Sequence, residues 1–401
     1  MNEKPVKNIY LDNNATTRVD PLVVDVMLPF LTERYGNPSS IHSFGGEVEK
    51  DVQAARRRVA DMLGAEHDYE IVFTGTGTEA NNLAILGTAG FYKDRRHVIT
   101  TSVEHPAVLN ACKELERTGY RVTYVPVDSE GLLDMDTFKK SLDADTAIVS
   151  VMYANNETGV LFPVEEIGAI CREQKIPFHV DAVQVAGKIP INVSKINCDF
   201  LTVSGHKFHA PKGIGALYVR RGTPLRPMIY GGHQEKSRRP GTENVASIIG
   251  MGKAAELVME HLNNDAGNIK RLRDKLENGL LARFNNAVLN GNKERRVVNT
   301  SNIGFGYIEG ESILLYMDRK GIAASSGSAC TSGSLEPSHV LRAMNVSFTS
   351  VHGSIRFSLS RFTTEEEIDY VLNVMPEVIE PLLELSPYWD NEKKEGLPIN
   401  L

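Results

Sequence analysis

Cysteine is scarce in this chain. Four occur in 401 residues, at positions 112, 171, 198 and 330, and no two are spaced as a CxxC pair. That excludes a disulfide scaffold and removes the usual zinc and thioredoxin-like motifs. No apolar run approaches the roughly 18 residues of a membrane span, and the first residues lack the apolar stretch of a secretory signal. A basic excess is also missing: 44 Lys and Arg stand against 51 Asp and Glu, a net charge of −7. Nothing is therefore left over to neutralise a phosphate backbone, so neither nucleic acid nor membrane is expected as a partner. The protein is expected to be cytoplasmic, with its thiols reduced.

What the chain does have is a rhythm. Short β-branched runs at 71–73, 97–101, 121–125, 147–152, 178–180, 200–203 and 216–219 alternate with helical patterns at 79–91, 107–117 and 164–173. Such alternation predicts an α/β fold around a mostly parallel sheet. A long amphipathic helix follows over 244–263 and continues past Gly267 into 269–284. Beyond it the rhythm changes to isolated strands at 300–305 and 354–359 and a closing helix from about 365, a smaller α+β unit. Thr363 and Thr364, each three residues before a Glu, offer two overlapping capping boxes for that helix. The polar stretch 391–401 reads as a mobile tail.

The chemistry-bearing residues cluster where these strands end. Asp199-Phe200-Leu201-Thr202-Val203-Ser204-Gly205-His206-Lys207 delivers Ser, His and Lys at a strand's carboxyl end, where open α/β sheets place ligands. A partly desolvated Lys there can form a Schiff base with an aldehyde; a surface Lys beside a strand is the competing account. Phe178-His179-Val180-Asp181 ends a second strand in a carboxylate, costly to bury unless it meets a cation such as a pyridinium nitrogen; a capping Asp is the alternative. The turn Thr74-Gly75-Thr76-Gly77-Thr78-Glu79-Ala80-Asn81 joins a strand to a helix start, a place for a phosphate, although an ordinary βα turn looks the same. It has neither the Walker ending nor the third dinucleotide glycine.

His105 and Asn155 end two further strands. The imidazole could stack on a flat cofactor and exchange protons, and the amide could bond a ring substituent; loop His and turn Asn are the plainer readings. Cys330 lies in Ser325-Ser326-Gly327-Ser328-Ala329-Cys330-Thr331-Ser332-Gly333-Ser334, a run of small residues that predicts an exposed, moving nucleophile; an incidental loop thiol is the plainer reading. The other three cysteines fall in or beside helix and strand patterns and read as core. Arg356, amid the alternating 353–359, is suited to bidentate capture of a carboxylate, either a substrate's or an internal one.

Taken together, these segments resemble the pyridoxal-phosphate cysteine desulfurases of the NifS/IscS type, in the class-V aminotransferase group, over nearly the whole chain. The matching stretches are Tyr10-Leu11-Asp12-Asn13-Asn14-Ala15-Thr16-Thr17, Tyr35-Gly36-Asn37-Pro38-Ser39-Ser40, residues 74–81, His105, Asn155 with Glu157-Thr158-Gly159, Asp181 with Gln184, residues 204–207, Arg239-Pro240-Gly241-Thr242-Glu243-Asn244, and residues 325–341.

The resemblance implies a type I pyridoxal-phosphate transferase fold with a large domain over 15–258 and a small one built from 1–14 and 259–401. It implies that Lys207 is tied covalently to the cofactor, with Asp181 at the pyridine nitrogen, Gln184 at the phenolic oxygen and His105 on the ring face. Gly77, Thr78, Ser204 and His206 would hold the phosphate, joined by Thr242 from the partner subunit of a homodimer. Asn155 and Arg356, with Asn13 nearby, would bind the substrate. The long segment around Cys330 is similar to that of the branch with a mobile catalytic loop, and Gly231-Gly232-His233-Gln234-Glu235 leans towards the nitrogen-fixation-associated type.

The implied reaction takes L-cysteine to L-alanine, with Lys207 moving the Cα proton, His105 managing further protons, and Cys330 taking the sulfur as a persulfide. A scaffold protein for iron–sulfur assembly would accept it, with Cys330 as a transient cluster ligand. A selenocysteine lyase, a class-V aminotransferase, or a silent sulfur-carrier partner are the rival readings.

Overall fold

In a computed structural model, which describes residues 8–326 and 337–397, the chain builds twelve strands that matter for the site. They are β1 (Ile9–Tyr10), β2 (Ile71–Thr74), β3 (His97–Thr101), β4 (Arg121–Val125), β5 (Thr146–Met152), β6 (Phe178–Asp181), β7 (Phe200–Ser204), β8 (Gly215–Val219), β9 (Ala287–Leu289), β10 (Thr300–Phe305), β11 (Ile322–Ala323) and β12 (Ser354–Ser358). Seven form one sheet in the order β2-β8-β7-β6-β5-β3-β4. β8 pairs antiparallel with both β2 and β7, whereas β3 to β7 pair in parallel, so six strands run one way and β8 runs against them.

Every residue of β5 is buried, as expected of a sheet covered on both faces. The pleat sends Ile148 and Phe200 to one face, against Leu83 and Ala84 of the helix Gly77–Ala89 and Val108 and Cys112 of the helix Pro106–Arg117. It sends Val149 and Leu201 to the other, against Val52 and Val59 of the helix Ser43–Leu63 and Ile248 and Met251 further on. The expected strands and helices in this region thus appear within one or two residues of their predicted ends.

The helix Val245–Arg283 is a single unbroken element of 39 residues. Gly267 does not interrupt it, because a glycine at an exposed helical position costs only about 1 kcal/mol and packing on both sides outweighs that. Its first half packs Ile248 and Met251 on the large-sheet core, and its second half packs Ile269, Leu272 and Leu276 on a separate apolar cluster. That second cluster includes Ile9 and Leu11 from the start of the chain, Ile303 of β10, Phe357 of β12 and Met375 of the closing helix Glu365–Leu385. β9, β10 and β12 form an antiparallel sheet, and β1 lies parallel to β11. Of the two capping boxes, the one from Thr364 to Glu367 is formed.

The stretch expected to be a mobile tail is folded in its described part. Trp389–Asp390 pairs antiparallel with Glu395–Gly396, and the Trp389 indole lies 5.7 Å from the Tyr307 ring. The intervening polar residues are those of a tight turn, so their composition imitates a tail. Among the described residues no helix is long and apolar enough to cross a membrane, and no group of three or more His, Cys, Asp or Glu stands ready for a metal.

Candidate active site at the carboxyl edge of the sheet

Because β2, β3, β5, β6 and β7 run in one direction, the segments that follow them meet at one edge. These are the 74–77 turn, Ser102 to His105, Tyr153 to Asn155, Asp181 to Gln184, and Ser204 to Lys207. After β2, Thr76 caps the helix by accepting from the Glu79 amide at 3.0 Å, and the Gly75 amide donates to Glu79 Oε2 at 2.7 Å. Gly77 opens the helix pressed against the neighbouring strand end. A Cβ there would stand 3.1 Å from both the Ser204 Cβ and the Val183 Cγ2. Gly77, Thr78 and Ser204 thus share one small space at the positive end of a 13-residue helix.

Asp181 closes β6. Its Oδ2 accepts from Asn81 Nδ2 at 2.6 Å and its Oδ1 from the Val183 amide at 3.0 Å. It is only 6% exposed and meets no cation among the described residues. A carboxylate so placed is complete only when a positive partner arrives, which a pyridinium nitrogen would supply. The donor set therefore fits pyridoxal phosphate: a helix start able to cradle an anion, a buried carboxylate and a lysine follow strands at one edge of the sheet.

The lysine is Lys207, just beyond β7, whose Nζ donates to the carbonyls of Asn14 at 2.6 Å and Ala15 at 2.7 Å. Gln184 Nε2 donates to the same Asn14 carbonyl at 3.0 Å. His206 sits against Thr16 through Nδ1 at 3.2 Å, and burial, with Lys207 and Lys212 nearby, lowers its pKa to about 4, leaving a neutral ring. The 14–17 segment is thus the floor on which Lys207, Gln184 and His206 are mounted.

His105 caps the helix Pro106–Arg117, its Nδ1 accepting from the Ala107 amide at 3.1 Å. Burial lowers its pKa, opposed by Asp181 and assisted by Lys207. A neutral ring held this way carries its hydrogen on Nε2. Beside it, Glu104 is fully buried; Oε1 accepts from Thr101 and Met152, while Oε2 has no partner among the described residues. Burial raises its pKa to about 8, so it is a neutral acid at physiological pH.

The substrate-side candidates are held from within. Asn155 Oδ1 accepts from the amides of Glu157 and Thr158, and Nδ2 donates to the Val103 carbonyl at 3.0 Å and towards the Met152 sulfur, a weak acceptor. Asn13 Nδ2 donates to the carbonyls of Tyr10 and Ser358. Arg356, on β12, donates to Asp12 Oδ1 at 2.6 Å and to the Asn156 carbonyl at 3.1 Å, so the internal carboxylate is present; its buried Nε remains without a partner among the described residues. Thr242 lines a cleft with Thr74, Gly75 and Arg239.

Cys330 lies outside the described residues, but its flanks are anchored here. The backbones of Ser325 and Arg356 bond each other, Ser338 donates to Glu157 Oε2 at 2.5 Å, and His339 Nε2 donates to the Glu104 carbonyl at 3.0 Å. Cys112, Cys171 and Cys198 are buried, as their positions implied.

Asn14, Asn81, Glu104 and Lys188 were assigned no role from sequence. Asn81 did carry a signal, standing one helical turn beyond Gly77, and Asn14 stands beside Asn13 in a quoted stretch; nothing marked Glu104 or Lys188.

Known proteins place the chain in a family. The Aminotransferase class-V family profile matches residues 9–371. A cysteine desulfurase of Nostoc sp. is 59% identical over 384 residues, 96% of each chain. The cysteine desulfurase NifS of Azotobacter vinelandii is 54% identical over 382 residues, 95% of each. A solved NifS-like protein superposes with a TM-score of 0.88 at 40% identity, covering 94% of this chain and all of its own. The chain belongs to the class-V aminotransferase family, among its NifS-type cysteine desulfurases.

Proposed function

We propose that this chain is a pyridoxal-phosphate-dependent cysteine desulfurase that converts L-cysteine to L-alanine and holds the released sulfur as a persulfide on Cys330, for delivery to an iron–sulfur scaffold protein. One observation supports the reading above the others: Asp181, a buried carboxylate with no ion pair among the described residues, is tied through Asn81 to the helix that starts at Gly77, and it acts together with Lys207 on the His105 ring. When bound, the cofactor supplies an electron sink for a negative charge at the substrate Cα.

The residues divide that work. Asp181, oriented by Asn81, would hold the ring nitrogen and favour its protonated form, and Gln184 would donate to the phenolic oxygen. Gly77, Thr78, Ser204 and neutral His206 would hold the phosphate, with Thr242 of a second copy completing the site in a homodimer. Lys207 takes the Cα proton and returns it. His105, neutral and bearing its hydrogen on Nε2, would cover the ring face and hand a proton to the substrate.

Asn13, Asn155 and Arg356 face the substrate carboxylate. The Arg356 Nε, without a partner among the described residues, and the Asn155 hydrogen lent to sulfur are the contacts these two have to spare. The Cys330 thiolate forms a bond to the substrate sulfur as the carbon–sulfur bond breaks, the electron pair and a proton ending on the alanine carbon. Cys330 is then the residue that would touch a nascent cluster.

We read two domains, 15–258 and 1–14 with 259–401, supported by the joint packing of Ile9, Leu11 and Ile269 in one apolar cluster. We place the enzyme in the cytoplasm.

The deciding experiment is an assay of alanine and sulfide from L-cysteine with a reducing thiol present. Equal release of both, abolished in C330A while the yellow cofactor band remains, is the expected result. Turnover of selenocysteine alone, amino transfer dependent on a keto acid, or undiminished activity of C330A would overturn the reading.

A further inference from the structure

Lys188 is a buried amine that the reaction above does not use. It is 7% exposed and has no ion-pair partner among the described residues. Its Nζ donates to Gln184 Oε1 at 2.8 Å and to Asn14 Oδ1 at 3.3 Å. Burial, with Lys207 and Arg356 close by, holds its pKa well below the ordinary lysine value. The cavity it lines, with Lys207, Asn299 and Asp265, is about 30 Å³, room for a water and not for a ligand. Lys188 therefore acts on its neighbours.

The turn that delivers it is built for the purpose. Gly187 has φ +74°, and a Cβ there would stand 2.9 Å from the Cβ of Phe208, the residue after Lys207. Only glycine lets this turn close on the lysine-bearing segment and send the next side chain inward.

We propose that Lys188 is a positioning residue that locks the amide of Gln184 in one orientation, so that only N–H groups face the reactive pocket. An amide presents an acceptor on one side and two donors on the other, and the two are nearly equal in shape. Lys188 donates to Oε1 from behind. That leaves Nε2 facing forward, one hydrogen spent on the Asn14 carbonyl and the second available to an anionic oxygen. A flipped amide would set Oε1 against the Asn14 carbonyl and against any phenolate beyond it. The same Asn14 carbonyl accepts from Lys207, so the lock also registers the two groups that meet the cofactor's ring substituents.

This inference rests on the pyridoxal-phosphate reading. The test is the visible spectrum of the holoenzyme at fixed pH, beside steady-state kinetics. If the unaltered protein shows no band near about 400 nm after cofactor is added, it is the cofactor reading that fails. Given that band, K188M, which keeps length but loses every donor, is expected to shift its position or its ratio to the shorter-wavelength form and to lower kcat about tenfold with KM little changed. The effect should vanish in a Q184A background, where there is no amide to orient. An unaltered spectrum in K188M, or an equal effect with and without Gln184, would overturn the proposal. Should K188M not fold, K188R and K188Q decide: the donor-only guanidinium should keep the spectrum and the ambivalent amide should change it. The opposite order, or no difference, refutes the lock.

Discussion

The Asn81 side chain donates to Oδ2 of Asp181 at 2.6 Å, tying the helix that starts at Gly77 to the carboxylate that ends β6. The bond crosses 100 residues of sequence and joins the segments proposed to meet the cofactor's phosphate and its ring nitrogen. N81A would leave one carboxylate oxygen without its donor. A fall in kcat/KM of about tenfold is expected, with the cofactor still bound. D181N should lose about a hundredfold or more, since it removes the charge itself. Steady-state kinetics on L-cysteine with an absorbance scan check both; an unchanged N81A would show that Asp181 needs no such support.

Gly77 should not tolerate a methyl group. The Cβ of G77A would lie 3.1 Å from Ser204 and Val183, so the helix start must move by a few tenths of an ångström. Overpacking of this kind costs about 1 kcal/mol or more, and here it falls on the phosphate site. Cofactor affinity is expected to weaken several-fold with little change in thermal stability, as measured by titrating the apoprotein with pyridoxal phosphate.

Glu104 should make stability depend on pH. Its folded pKa of about 8 lies above the 4.5 of an exposed Glu, so between these values the unfolded chain gives up a proton that the folded one keeps. Its contribution is fully present below about pH 4.5 and is lost as the pH rises through about 8, by up to a few kcal/mol. E104Q has no such titration. Its melting temperature relative to the unaltered protein should rise from pH 5 to pH 8.5; a constant difference would mean that Glu104 is ionised in the fold.

Glu277 holds the second apolar cluster's one fully enclosed ion pair among the described residues. Its two oxygens accept from Arg296 Nη1 and Nη2 at 2.6 and 2.7 Å, and Ser301 donates as well. E277A strands the guanidinium and should cost about 3–5 kcal/mol in urea unfolding. The double variant E277M/R296M should recover much of that loss, because no charge then remains to be solvated.

Most of the sheet was legible because the central parallel strands are buried on both faces and read as short apolar runs, while the edge strand β4 is β-branched and aromatic at Val122, Thr123, Tyr124 and Val125. The polar or charged residues at the ends of those runs were legible for the same reason: Asp181, Lys207 and His105 interrupt patterns that burial otherwise keeps apolar. Cys330 was singled out from composition alone, and it lies outside the described residues. The folded hairpin at Trp389 was not, because the polar residues of a tight turn look like those of a tail. The passage of the long helix through Gly267 was legible, because the apolar period resumes in step beyond it.

Strand identity, direction and the residue types at strand ends follow from local pattern, since the alternation of burial is written every second or every fourth residue. Partnership does not. Asp12 with Arg356, Asn14 with Gln184 and Lys188, and Ser338 with Glu157 are contacts across 344, 170, 174 and 181 positions. Whether Arg356 meets an internal carboxylate, and which way the Gln184 amide points, depend on what another part of the chain brings within 3 Å. Hydrogen bonds act only at that range, and only the folded arrangement of both chain ends sets it.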